Sequence, residues 1–375
     1  MKIDEKAKKM LISFGIGIGA IILIVIIVLI VGMIKNSSLS YAGIESKLVS
    51  GARKYYANKK DALPLNDNDE VEVDASLLKE EGYIKDLSKY QKDKNVTCSG
   101  KVIVTKSGNY YNYSPYLNCG DKYTTTYLYE ELISKVVSKD DGLYKKEQYS
   151  TKTKGKETVY VFRGDYVNNF IKLDEFLWRI VKVNSDYSLE IIQENDKKTR
   201  LSSVWDDRYN NTKNENAGIN DYYKSIIRKN ISDYYNSSTL SDTAKEKIVF
   251  KDICVGSRKL SETKNDGSVE CRNIMQNEPI SLLPVYDFIN ASLDTNCKRF
   301  DNYNCSNYNY LSKYERGFWL LTTSSEKSYI GYGIYNNFSA SKLSSVKVAR
   351  LVTNLNKNII FAGGSGTESD PYLIK

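Results

Sequence analysis

The chain has 375 residues and a formal net charge of +8, from 54 lysines and arginines against 46 acidic residues; the basic residues are scattered and form no stripe with interleaved aromatics, which excludes nucleic-acid binding as a reading. Histidine is absent, so no Ser-His-Asp or Cys-His group and no histidine-ligated zinc site can be assembled. With 41% hydrophobic and 27% charged residues the composition is that of folded protein, and the length suits two globular units beyond a membrane segment.

An uncharged run from Met10 to Ile34 comes first in chain order. A helix of that length, at about 1.5 Å per residue, more than covers a hydrocarbon core of roughly 30 Å, so a membrane is the first expected partner. Lys2, Lys6, Lys8 and Lys9 precede the run; residues 1–9 therefore read as a cytoplasmic tail and everything beyond residue 34 as extracellular. The run outlasts the apolar core of a cleavable signal peptide, about 7 to 15 residues, and no clean small-x-small site follows it. An uncleaved single-pass anchor is expected.

From Leu39 to Tyr56 the residues Ile44, Leu48, Ala52 and Tyr55 recur at helical spacing. A short strand at Glu70 to Val73, a short helix from near Ala75 and a hairpin around Ser107-Gly108-Asn109 follow. The six cysteines, Cys98, Cys119, Cys254, Cys271, Cys297 and Cys305, all lie beyond the apolar run and read as disulfides of an oxidising compartment. A two-residue turn at Gly108-Asn109 sets Ser107 opposite Tyr110 and, counted outward, Cys98 opposite Cys119. At a non-hydrogen-bonded position the Cα separation of about 4.5 Å suits a bridge. Cys254 with Cys271 and Cys297 with Cys305 are paired by proximity alone. Without a CxxC motif or histidine no metal is expected, and nothing implies a cofactor. Asn66-Asp-Asn-Asp-Glu70 gathers oxygens but lacks the glycine of a calcium loop, and reads as a solvated turn.

One long helix laid on a small antiparallel sheet is an α+β unit. Over about residues 10–122 this order resembles the type IV pilin-like proteins, although Ser13-Phe-Gly-Ile-Gly-Ile stands where a prepilin has Phe-Thr-Leu-Ile-Glu. Residues 126–157, with Lys139-Asp-Asp-Gly and Lys152-Thr-Lys-Gly-Lys, are polar and turn-rich and read as a connector.

Strand-like alternation resumes with Thr158-Val-Tyr-Val-Phe, Tyr166 to Leu173, Phe176 to Val183 and Ser188 to Ile192. A helix is expected over Gly218 to Arg228, capped by Asn220 or Asp221, with Ile226, Ile227 and Ile231 on one face. Two shorter helices open at Ser241-Asp242 and Pro284, and strands return at Gly317-Phe-Trp-Leu-Leu and Val346 to Val352. Asn168-Asn-Phe leading to Leu177-Trp-Arg-Ile, Ser202-Ser203, Phe318-Trp-Leu-Leu-Thr-Thr, Val348-Ala-Arg-Leu-Val and Asp370-Pro-Tyr together resemble a surface-protein module of low-GC Gram-positive bacteria. That module belongs to the edge of the C-type-lectin-like and formylglycine-generating-enzyme superfold. The resemblance, over about residues 157–375, implies a displayed domain. The calcium and sugar residues of true C-type lectins and the catalytic cysteines of the formylglycine enzymes find no match, so neither activity is carried over.

The expected fold class is α+β: a transmembrane helix at 10–34, a pilin-like domain at 35–125, a connector at 126–157 and a lectin-like domain at 158–375. Trp205, Asp206 and Asp207, in a polar loop after a strand, are candidate ligand contacts, as are Tyr303, Tyr308 and Tyr310 near the last cysteine pair. No catalytic residue is assigned, and the chain is read as a surface protein recognising a glycan, wall polymer or protein. A pilin-like structural subunit, with neighbours along Leu39 to Tyr56, is the alternative. Behind it stands an extracellular hydrolase using carboxylates such as Asp206, Asp207 and Glu315.

Overall fold

The computed structural model describes residues 38–194 and 200–375. The run from Met10 to Ile34 lies outside the described residues, and among those described no helix is long and apolar enough to cross a membrane. The expected single-pass localisation is corrected accordingly: no transmembrane helix is shown, and what bears on the compartment is three disulfides, consistent with an extracellular protein. The α+β class is corrected as well, since strand outweighs helix, 35% against 23%.

The chain divides into two compact units. Among the described residues the first takes 38–58, Val73–Val102 and Pro115–Thr124, and the second Lys59–Glu72, Ile103–Ser114 and those from Thr125 to Lys375.

In the first unit, helix α1 (Tyr41–Asn58) buries Ile44, Leu48 and Ala52, one turn apart on a single face. Tyr56 rather than Tyr55 completes that stripe. Gly51 is needed there, because a Cβ would stand 2.5 Å from Ile84 Cγ2. Helix α2 is Ala75–Glu80. Strands β1 (Glu70–Asp74), β2 (Ser99–Ser107) and β3 (Tyr110–Asn118) form one sheet in that order, each strand having residues in both units. The turn between β2 and β3 opens on Gly108, whose φ of 55° suits glycine, and Cys98 is bonded to Cys119 across the open end with Cα atoms 4.2 Å apart.

The second unit is built on two sheets. Strands β4 (Gly142–Tyr149), β5 (Lys156–Arg163), β6 (Phe170–Leu173), β7 (Phe176–Val183) and β8 (Leu189–Gln193) belong to the larger, and β9 (Leu201–Val204) to the smaller. Short strands β10 (Ile248–Val249), β11 (Lys251–Cys254), β12 (Ile274–Glu278) and β13 (Ile280–Leu282) follow, then β14 (Phe318–Thr323), β15 (Ile330–Tyr335), β16 (Asn337–Lys342), β17 (Val346–Ala349) and β18 (Leu351–Leu355). The larger sheet runs β10-β18-β8-β7-β5-β4, with β13 beside β18 and β6 beside β7, and the smaller runs β16-β15-β14-β17-β9. Trp178, Trp205 and Trp319 are fully buried in the core they share.

Three differences explain the excess of strand. The stretch expected as a connector contains helix α3 (Leu128–Ile133) and all of β4, paired with β5 from Gly142 to Tyr149; its lysine-rich end is the turn joining the two strands, and residues 134–141 link α3 to β4. The helix expected from Gly218 begins later. Tyr222–Lys224 is a single tight turn, and α4 (Ile226–Asn236) starts at Ser225, whose hydroxyl accepts from Arg228 N–H and caps the face of Ile227, Ile231 and Tyr235. Finally, Val346 to Val352 is two strands in different sheets. They part at Arg350, buried with its Nε donating to the Gln193 carbonyl at 2.7 Å and Nη2 to Glu194 at 3.0 Å. Helices α5 (Asp242–Lys247), capped by Ser241, and α6 (Val285–Asn290), entered through Pro284, complete the unit.

Candidate functional site

Strands β7, β8 and β18 are buried on both faces, yet one face carries polar residues in register. Lys182 lies opposite Glu190, and Glu190 opposite Asn354, a row across three strands. Beside it the Asn184 amide donates to Asn354 Oδ1 at 2.9 Å and to the Ser188 hydroxyl at 3.0 Å. A cavity of about 410 Å³ opens over this face, within the range of ligand sites, roughly 300–1,000 Å³. Gln148 of β4 lines it too. By strand spacing and rise, Gln148 stands about 20 Å from Glu190, so the cavity is an elongated cleft. Tyr149, Phe250 and Tyr286 supply its aromatic surface, and the Cys254–Cys271 disulfide forms part of its wall.

Behind the lining residues Lys182 and Glu190, Asp287 stands buried in the first turn of α6. Lys182 Nζ is 2.8 Å from Asp287 Oδ2 and 3.2 Å from Glu190 Oε2, with the Lys182 and Asp287 side chains 3% and 0% exposed. The Tyr286 ring lies 5.2 Å from the same nitrogen. Burial pushes the Asp287 carboxyl up to about 8; Lys182 opposes this and Glu190 adds to it. Burial works against the Lys182 ammonium, but Asp287 and Glu190 outweigh it and hold its pKa well above the ordinary value. Burial thus biases Asp287 toward its neutral acid beside a Lys182 ammonium.

The rim is neutralised locally. Lys251 pairs with Asp186, and Lys357 with Glu70 at 3.0 Å; Glu70 also accepts from Thr105 and Asn358. Burial disfavours the Asp186 charge, but Lys251 and Ser188 outweigh burial and hold it below the usual carboxylate range. One buried oxygen of a cleft-lining residue, Gln148 Oε1, has no donor from the protein. A buried acceptor left unpaired costs about 1–3 kcal/mol, so this cleft is suited to a ligand rich in O–H or N–H donors. Among the described residues no group of three or more Cys, Asp or Glu is placed to hold a metal ion.

The candidates singled out from the sequence lie elsewhere. Trp205 is buried, its Nε1–H donating to the Leu320 carbonyl at 3.3 Å, and such a ring offers no face to a ligand. Asp206 is buried and clamps its own loop, accepting from Ile219 N–H at 2.8 Å and pairing with Arg208 Nε at 2.9 Å. Asp207 and Glu315 are exposed, so the three carboxylates do not gather in one cleft. Tyr303 and Tyr308 are exposed at 67% and 59%, while Tyr310 is buried against Arg179. None lines the cavity. Lys182, Glu190, Asp287, Asn354 and Gln148 were missed. Their signal was charge inside continuous apolar runs such as Phe176-Leu-Trp-Arg-Ile-Val-Lys-Val and Leu189-Glu-Ile-Ile-Gln, since a strand buried on both faces must find partners for its polar side chains. No family model, no curated protein and no solved structure matches this chain.

Proposed function

We propose that the second unit is a non-catalytic recognition domain of an exported protein, taking an extended, hydroxyl-rich ligand such as a surface glycan or wall polymer in the cleft over its larger sheet. The observation that carries this reading is the unpartnered buried acceptor Gln148 Oε1 in a polar cleft with aromatic walls. Amide and carboxylate acceptors fix hydroxyls, and rings such as Phe250 cover the apolar faces of sugars. The absence of histidine and the attachment of both inner carboxyl groups to the single Lys182 nitrogen favour binding over turnover. The alternative of a pilin-like subunit is less well supported, because Ile44, Leu48 and Ala52 are already covered within their own unit.

Glycan arrays and isolated wall polymers, probed with the full chain, test the proposal. Gln148→Leu is expected to weaken binding about tenfold, one hydrogen bond of about 1.4 kcal/mol. Failure to bind any saccharide, or binding lost through Tyr303→Ala but untouched by Gln148→Leu, would count against it.

A further inference from the structure

Amide bonds form when an amine free of its proton meets a carboxylic acid, rather than a carboxylate, in a place that excludes water. The interior end of the cleft brings these components together: an amine nitrogen 2.8 Å from the Asp287 carboxyl, a second carboxyl 3.2 Å from the same nitrogen, and side chains almost wholly withdrawn from solvent. Lysine pairs at the rim, Lys251 with Asp186 and Lys357 with Glu70, keep solvent contact. The other deeply buried ion pair, Arg258 with Glu270, holds a guanidinium that stays protonated and is no nucleophile.

We infer that Lys182 and Asp287 become joined by an intramolecular amide bond, a covalent strap between β7 and α6, with Glu190 as the group that moves the protons.

Glu190 takes a proton from the Lys182 ammonium, which leaves a neutral amine beside two neutral acids and removes a charge pair from the interior. The nitrogen lone pair attacks Asp287 Cγ. As the C–N bond forms and the C–O bond breaks, Glu190 shuttles the second amine proton to the departing oxygen, which leaves as water. One amide and one water result; nothing is oxidised or reduced, and no co-reactant is consumed. Asp287 supplies the electrophile because burial keeps its carboxyl protonated near neutral pH. Fixed neighbours in a folded core need no encounter step, and effective concentrations of such pairs greatly exceed those in solution. Lys182 and Glu190 line the cleft, which gives the water its exit. Lys146 approaches the same helix but donates to the Asn290 amide oxygen, so the corresponding step there would release ammonia. The strap is independent of what the cleft binds.

Reduced, alkylated full-length protein is examined by intact mass and by tryptic peptide mapping. The expected result is a chain lighter by one water, no cleavage after Lys182, and a branched peptide joining the Lys182 and Asp287 segments. Asp287→Ala and Glu190→Ala should restore the unbranched mass. Wild-type protein with quantitative cleavage after Lys182, or a branch at Glu190 or at Lys146 and Asn290 instead, would overturn the assignment. Because the wild-type map alone is decisive, a variant that fails to fold does not blunt the test.

Discussion

Lys146 gives the most direct test of how the larger sheet treats charge. It projects from β4 toward α6, donates to the Asn290 amide oxygen, and has its pKa lowered from 10.5 to about 8, first by burial and then by the Arg163 guanidinium, with Asp287 opposing. A tenfold change in an ionisation constant corresponds to about 1.4 kcal/mol, so protonated Lys146 costs the folded state about 3 kcal/mol below pH 8. Lys146→Met removes that cost and loses one hydrogen bond while leaving an acceptor unpaired, together about 1–2 kcal/mol. A net gain of about 1–2 kcal/mol is expected at pH 7. The sign with pH is also fixed. Between the folded value near 8 and the unfolded value of 10.5 the unfolded chain binds the extra proton, so wild-type stability from this group rises with pH by up to about 1.4 kcal/mol for each pH unit. Urea titrations of both proteins with disulfides intact, followed by tryptophan fluorescence from pH 7 to 9.5, measure the difference. If the gap between variant and wild type stays constant over that range, the description of Lys146 as a buried, penalised ammonium is wrong.

Arg258→Met should be destabilising by about 3–5 kcal/mol, since it strands Glu270, 2.7 Å away and fully buried, and frees the carbonyl of Lys264 and the side chain of Asn265. The loss should grow from pH 5 to 8, as ionisation of unpaired Glu270 becomes favourable only on unfolding; a urea-measured loss below about 1 kcal/mol would refute it. Native protein should show no alkylatable thiol until reductant is added, because all six cysteines are paired. Replacing Cys297 and Cys305 by alanine should cost about 2.5 kcal/mol and Cys254 and Cys271 about 3, following sequence separations of 8 and 17. Labelling of all six thiols without reductant would remove the ground for an oxidising exterior.

What the sequence makes legible is whatever depends on local chemistry. A tight turn at Gly108-Asn109 is enough to pair Cys98 with Cys119, because a hairpin's register follows from its turn. Ser241 as a cap and Pro284 as a helix entry were likewise readable. Illegible were features set by the far side of the fold. The β4 strand looks like linker because Lys146 and Gln148 occupy positions where an ordinary half-buried strand would be apolar, and it is the polar cleft lined by Gln148 and the Asn290 amide met by Lys146 that make those residues fitting. Arg350 lies inside the stretch expected as one strand, Val346 to Val352, whereas it marks the place where the chain leaves one sheet for the other. Ser225 caps α4 in place of Asn220 or Asp221 because the buried face begins at Ile227, and that is settled by packing rather than by cap preference.

Taking an ammonium and its carboxyl partners out of water carries a cost of several kcal/mol per ion even after relaxation, and a well-packed apolar row in their place is often as stable or more so. The row Lys182, Glu190 and Asn354, with Asp287 above it, is therefore a poor device if its task were only to hold α6 against the sheet. Arg258 and Glu270 show what a holding pair looks like in this protein: a guanidinium that spreads its donors over Glu270, the Lys264 carbonyl and Asn265 and so ties down a loop. At the cleft the cation is a lysine, whose compact amine is nucleophilic once deprotonated, and the acceptor left over at Gln148 belongs to a residue lining the opening. Joining Lys182 to Asp287 would cancel the burial cost of the charge pair while leaving a Glu190 oxygen to meet a ligand. A single arrangement would then account for both the strap and the recognition surface.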